Sequence, residues 1–577
     1  MASIVRGGLV FDGNGGEGQL RDVLIHEGRV KALLAPGTPT EAEPIDARGC
    51  WVTPGFVDCH THYDAEIEFL PSLSESLRHG VTTVTLGSCG LSMAVGRPVD
   101  LADMFCRVEG IPRRYVLPLL EKVKDWETPA EYLTHLEKLP LGPNVCSLLG
   151  HSAMRAAVMG IGRSVEAGVQ PTQEELDRMT IMLNEALDVG YLGLSINTLP
   201  WDKMDGKDWR SRPTPSVYAR WSEYRYLMKP LRARGRIFQG VPDISTKINA
   251  VLFFLATMGI GRPSLKTMLI TLLDTKADRG TFRLVGLATR LVNGLFKGQI
   301  RFQSLPHPFD IWSDGLEVPV LEELVAGAEA IHLEDPSERS ALLRDPAYRA
   351  RFKKQWRSWF GKAYHRDLRE ATIIGCPDAA VVNKSFGEVA EQRGIEAEDA
   401  FLDLNAEHGN ALRWRSIIGN DRPEWVKWIM SHPGVLIGFS DAGAHLRNMA
   451  FYNFPIRMLK RVRDAEKSGQ PFMSVGRAVQ RCTSEIADYM AIDAGRLVAG
   501  SRADVVIIDP AHLDDSVEQL HEAPIPEFGE FRRMVRRNDE AVRTVIVNGF
   551  VAWNRGSAVP GLGSDRAFGQ VLRALPA

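Results

Sequence analysis

Apolar positions along the chain fall into two patterns. In the first fifty residues, short apolar runs alternate with turn residues. Ile4-Val5 and Leu9-Val10-Phe11 precede Asp12-Gly13-Asn14-Gly15-Gly16, and Val23-Leu24-Ile25 leads through Glu27-Gly28 to Val30–Leu33. The far end repeats this character, with strands predicted at Asp504–Asp509 and Val542–Val547, a turn at Asn548-Gly549, and Phe550–Trp553 beyond it. Two β-rich ends around a helix-rich middle predict one small sheet domain built from both termini. In the middle, continuous apolar runs such as Val81–Leu86, Tyr191–Ser195 and Val435–Phe439 alternate with amphipathic helices such as Glu174–Leu187, with Thr172 as its N-cap. That alternation predicts a parallel α/β fold whose strands are buried on both faces. The stretch from about 335 to 430 is helical, charged and tryptophan-bearing, and is predicted to be an inserted lid. Asn249–Gly261 is strongly apolar but shorter than the roughly 20 residues of a membrane span, so a buried helix is predicted there.

Composition narrows the function classes. The 577 residues carry 69 Lys and Arg against 72 Asp and Glu, a net charge of −3, which argues against a surface devoted to nucleic acid. The basic, aromatic stretch Arg351–Phe360 is accordingly read as a lid helix with a solvated charged face. Hydrophobic residues at 44% and charged residues at 24% can build a large core. Seven scattered cysteines without a CxxC pair form no disulfide framework, and the N-terminus has no secretory pattern. The expectation is a cytoplasmic protein with no membrane partner.

The sharpest chemical signal is Pro54-Gly55-Phe56-Val57-Asp58-Cys59-His60-Thr61-His62. On a strand, residues two apart share a face, so His60 and His62 point the same way at the strand's C-terminal end. Two imidazoles converging there suit Zn²⁺ or another borderline divalent ion; the bland alternative is two histidines in a surface turn. Asp441 follows the apolar run Val435–Phe439 and precedes a small-residue turn, which puts a carboxylate at another strand end or, alternatively, at a helix cap.

These segments resemble the amidohydrolase superfamily: Pro54–His62 matches its metal-binding opening, and Gly500–Val506 with Val545–Gly549 its closing sheet. Gly87–Gly90, Gly150–Arg155, Gly193–Ser195 and Ser440–Gly443 look most like the D-aminoacylase (N-acyl-D-amino-acid deacylase) branch. The resemblance implies a (β/α)8 barrel over residues 55–490 with the 335–430 insertion, and a β-sandwich made from 1–54 and 491–577. It implies His60, His62, Cys89 and Asp441 as metal ligands, with Asp441 also the catalytic base. It further implies a metal-dependent hydrolase of linear amides, most plausibly N-acyl-D-amino acids, acting through metal-activated water on a small-molecule substrate. A homo-oligomer is compatible with the sequence.

One departure stands out. The branch's fifth- and sixth-strand histidines are missing: Gly235–Gly240 carries Gln239, Arg262–Met268 carries no histidine, and Ser195 stands near the place of the fourth-strand lysine. One tightly bound Zn²⁺ is therefore expected, and a cyclic-amide or lactone hydrolase, or a barrel that binds without hydrolysing, stay open. His151, Arg155, Ser195, Gln239, His445 and Arg447 are the candidates for substrate binding. The two arginines are chosen because a guanidinium grips a carboxylate with two prongs.

Overall fold

The computed structural model describes residues 2–576 apart from 244–246 and 359–363. Eight parallel strand segments pair side by side around a ring: β1 (Phe56–Asp58, continuing at His60–Thr61), β2 (Val81–Leu86), β3 (Asn144–Ser147, continuing at Leu149–Gly150), β4 (Gly193–Asn197), β5 (Ile237–Val241), β6 (Lys266–Leu269), β7 (Gln299–Gln303) and β8 (Val435–Leu436, continuing at Phe439–Ala442). The circuit returns on itself where Phe439 of β8 registers against His60 of β1. An apolar cluster of Val57, Cys59, Cys146, Leu148, Ile237, Met268 and Leu436 ties these strands to Ile486 and Met490. Three of the intervening helices matter below: α1 (Gln173–Asp188), α2 (Lys247–Thr257) and α3 (Thr281–Leu295). The α1 start is fixed by a reciprocal cap, Thr172 Oγ1 accepting from Glu175 N while the Glu175 carboxylate accepts from Thr172 N.

Both termini enter one nine-stranded sheet. Val505–Ile508 pairs antiparallel with Trp51–Pro54, and Ala2–Val10 lies on the other side of that strand. The expected sandwich is thus realised as one continuous sheet with a shared core, including Val5, Val23, Val52, Val505, Ile507 and Ile546.

The insertion differs from the helical segment 335–430. It has its own apolar core running from Ile311 to Ile418, and an antiparallel three-stranded sheet of Phe309–Asp314, Arg413–Gly419 and Thr372–Gly375. Neither Phe309–Asp314 nor Arg413–Gly419 has an exposed position, and the charged residues within them (Asp310, Asp314, Arg413 and Arg415), buried or partly buried, disguise them as helix surface. The helix Pro423–Ser431 belongs to the ring's core instead, through Val426, Ile429 and Met430. Trp359 and Phe360 lie outside the described residues.

A second correction concerns α2. It forms as expected, with Phe253 buried, but Ile248, Val251 and Leu255 face outward and are exposed.

The α1 cap gives a simple check. Thr172→Ala should lower global stability by about 1 kcal/mol in urea unfolding; a change below about 0.3 kcal/mol would mean the cap contributes nothing to folding.

Candidate metal centre and cavity

The end of β1 presents two imidazoles whose Nε2 atoms lie 3.2 Å apart. His60 Nε2 is also 3.3 Å from Cys89 Sγ, and Asp441 Oδ1 is 3.5 Å from His60 Nε2 and 3.3 Å from His62 Nε2. His60, His62 and Cys89 form a group able to hold a metal ion. Cys89 sits in the turn after β2, and Asp441 on β8, beside β1. Both residues, and His445, adopt positive φ angles (55°, 58° and 47°), a conformation that costs energy for a side-chain-bearing residue and that concentrates where function over-determines geometry. Gly443 (φ 86°) allows the β8 turn to press onto β1, since a Cβ there would lie 2.7 Å from the His62 carbonyl carbon.

The donor set fits a divalent ion on chemistry as well as proximity. His60 Nδ1 donates to Gln303 Oε1 at 2.7 Å, and His62 Nδ1 faces Glu109 Oε1 at 3.1 Å. With a metal bound and the ring protons at Nδ1, both Nε2 lone pairs would point at one ion. A tetrahedral zinc site with bonds of about 2.0–2.3 Å needs donors about 3.3–3.8 Å apart, close to the separations here.

Charge points the same way. Burial and the neighbouring His62 charge lower the His60 pKa to about 3, so that ring is neutral. Burial would also lower His62, but Glu109, Cys89 and Asp441 outweigh it and hold its pKa well above the usual value. Burial would raise Asp441, yet its hydrogen bond to His62 and the His62 charge keep it ionised well below the ordinary carboxylate range. Burial pushes the Cys89 thiol up to about 12, a shift a bound metal would reverse. The pocket is built to stabilise positive charge at one point.

Several neighbours position these ligands. Asp58 accepts from His60 N at 3.1 Å, from Ser440 N at 3.4 Å and from Ser440 Oγ, tying β1 to the residue before Asp441. Gln239 Oε1 accepts from Cys89 N at 3.2 Å, and its Nε2 lies 3.3 Å from His60 Nδ1. Ser195 Oγ donates to Gly87 O at 2.5 Å and accepts from Gly90 N at 2.9 Å, pinning the Cys89 turn. Gln239 and Ser195, expected to touch substrate, are instead fully buried supports for Cys89. Met268 of β6 lies in the apolar cluster and offers no ligand.

The other candidates separate. His445 lines the cavity, with Nε2 4.0 Å from Asp441 Oδ2. His151 and Arg155 do not line it. His151 Nε2 lies 3.0 Å from Glu223 Oε1, and Arg155 Nε donates to the same carboxylate at 3.1 Å, all fully or nearly fully buried. Arg155 also donates to Ser164 O and Val169 O and is fully buried away from the cavity, so it presents no donor to a ligand there. Arg447 does line the cavity, but is paired with Asp314 at 2.7 Å and Glu522 at 3.0 Å.

The cavity has a volume of about 1330 Å³ and is walled by both the ring and the insertion. Sequence reasoning missed Glu109, Gln303 and Lys203. Glu109 and Lys203 lie in loops after β2 and β4, where no spacing marks them, and Gln303 ends β7 where only the strand register reveals it. Among the described residues, Lys203 and Arg114 are the cavity-lining cations without a carboxylate partner within 4.0 Å; Arg114 is exposed, while Lys203 is half-buried and partly desolvated, which lowers its pKa.

No family model matches the chain. An uncharacterised protein of Mycobacterium tuberculosis is 46% identical over 583 residues, covering 99% of this chain and 95% of its own. The N-acyl-D-aspartate deacylase of Alcaligenes xylosoxydans xylosoxydans is 25% identical over 96% of this chain and 92% of its own. Among solved structures, the N-acyl-D-glutamate deacylase of Bordetella bronchiseptica, complexed with zinc and a phosphonate inhibitor, superposes with a TM-score of 0.63 at 21% identity, covering 99% of both chains. A D-aminoacylase gives 0.63 at 20% identity with the same coverage. The chain belongs to the amidohydrolase superfamily, in its D-aminoacylase branch, and is a metal-dependent hydrolase. Among the described residues, no helix is long and apolar enough to cross a membrane.

The burial of Arg155 makes a prediction opposite to substrate anchoring. Arg155→Met leaves Glu223 buried beside a lone His151 and should cost about 3–5 kcal/mol of stability, with metal content unchanged at temperatures where the variant stays folded. A variant of wild-type stability with a raised KM would restore Arg155 to the substrate site.

Proposed function

We propose that the protein hydrolyses the linear amide bond of N-acyl-D-amino acids, with one divalent ion held by His60, His62, Cys89 and Asp441. The observation that carries this reading is the convergence of those four donors at the wall of a cavity that also presents Lys203, a half-buried cation free of carboxylate partners among the described residues. In this reading the ring is the superfamily's (β/α)8 barrel and the unit from 309 to 419 is its lid. The relative named as an N-acyl-D-aspartate deacylase, aligned over nearly the whole chain, supports the substrate class.

A bound divalent ion supplies Lewis acidity, polarising a carbonyl and making water a nucleophile near neutral pH. The chain's own residues do the rest. Asp441, held ionised, takes a proton from the attacking water and delivers it to the departing nitrogen. His445, which burial keeps neutral, lies beside its other oxygen. Lys203 binds the carboxylate of the amino-acid moiety, and Phe254, Leu269, Phe282 and Phe302 form an apolar wall for the acyl group. The insertion's Phe309, Val318 and Ile331 cover the cavity from the far side and exclude water.

Two kinetic measurements test this. Asp441→Asn should lower kcat about 10²–10⁴-fold, as expected for a positioned acid–base group; turnover within a few-fold of wild type would remove it from that role. Lys203→Met should raise KM about 10–100-fold for an N-acyl amino acid, the worth of a charge-assisted hydrogen bond. The corresponding N-acyl amino-acid amide should be nearly unaffected, and equal losses on both would show that Lys203 does not read the carboxylate.

A further inference from the structure

The outer faces of α2 and α3 carry an apolar surface that the hydrolytic site does not use. Of seventeen exposed large hydrophobic side chains among the described residues, nine lie between Ile248 and Phe296. On α2 they are Ile248, Val251 and Leu255, and on α3 Leu284, Leu287, Leu291 and Leu295, each set spaced three or four apart and therefore one continuous stripe. Leu284 and Leu295 are 69% and 73% exposed, far beyond incidental surface leucines. The C-terminal ends of the two helices meet, where Gly259 N, just past α2, donates to Phe296 O, just past α3, at 3.0 Å.

Charge on this face is one-sided. Of the eight Lys and Arg in residues 248–301, Lys276 and Arg279 are paired with Glu370 and Asp421, and Lys266 and Arg301 lie on β6 and β7, which leaves four on this face. Arg283, Arg290 and Lys297 recur every seven residues along one flank of the α3 stripe, and Arg262 follows α2. All four are exposed, and among the described residues none has a carboxylate within 4.0 Å. Arg283 lies over the Trp425 ring and Arg290 donates to His432 Nε2, so their stems are held at the helix edge.

We propose that this face docks the protein on an anionic lipid surface as a peripheral membrane protein. A leucine stripe flanked by cations is the pattern of a helix lying in the interface, with apolar side chains in the acyl boundary and cations at the headgroups. Self-association through the same face fits worse. A two-fold contact would set Arg262, Arg283, Arg290 and Lys297 against the same four cations of its own copy. The inner sides of the same helices, through Ala250, Phe254, Phe282 and Val285, line the cavity, so the docked surface lies one helix away from the site. This revises the expectation of no membrane partner, and it stands independently of the substrate proposed above.

The test is co-sedimentation of the full-length, metal-loaded protein with vesicles of equimolar phosphatidylglycerol and phosphatidylcholine, against phosphatidylcholine alone. Wild type should bind the anionic vesicles at least tenfold more strongly, with affinity falling as salt rises. Leu284→Gln combined with Leu291→Gln, and separately Arg283→Gln combined with Arg290→Gln and Lys297→Gln, should each lower binding at least tenfold. Thermal midpoints and metal content should stay unchanged, which separates lost docking from lost folding. Three results would overturn the proposal: no binding of wild type to anionic vesicles, unchanged binding of both variants, or a dimer in sedimentation velocity that the leucine variant dissolves while vesicles bind nothing.

Discussion

The site depends on the return of the last strand of the ring onto the first. Cys59 N donates to Gly438 O at 2.8 Å and His62 N to Ala442 O at 2.7 Å, so β8 is hydrogen-bonded to the backbone that carries both histidines. Asp58, buried between them, accepts from both sides and is pushed up to about 8 by its burial. Without that seam, Asp441 would come from a distant part of the sequence with no reason to meet His60 and His62. With it, a carboxylate and two imidazoles are placed within 3.5 Å of one another. The positive φ of Asp441 is the local cost, and the packed seam holds the strain in place.

The rest of the pocket compensates for the ligands that the sequence lacks. Where a fifth-strand histidine would stand, Gln239 turns its carbonyl oxygen to the Cys89 backbone and its amide toward His60. Ser195 on β4 pins the same turn. Both positions thus support the Cys89 turn, while β6 contributes Met268 to the core. Amide and hydroxyl oxygens are poor zinc ligands beside imidazole and thiolate, but good hydrogen-bond supports.

How much of this could be read in the sequence follows from the range of each interaction. The helix cap at Thr172, the strands Val81–Leu86 and Val542–Val547, and the pairing of His60 with His62 are local, and their periodicity or spacing displays them. His151 and Arg155 look equally eligible in sequence. Their burial against Glu223, some seventy residues later, is a tertiary fact that no spacing encodes. Arg447 fails for the same reason, since Asp314 and Glu522 come from the insertion and the C-terminal segment. The α2 helix misled in another way: an apolar run announces burial, but periodicity cannot say which solvent its second face meets.

The central claim is that His60, His62, Cys89 and Asp441 hold a single ion. The most direct measurement is metal analysis after exhaustive dialysis, paired with X-ray absorption at the zinc edge of the zinc-loaded protein. The account predicts one equivalent per chain, with one sulfur scatterer at about 2.3 Å among nitrogen and oxygen ligands. That sulfur signal should vanish in Cys89→Ser. Two equivalents that survive dialysis, or a one-equivalent site with only nitrogen and oxygen neighbours, would contradict it.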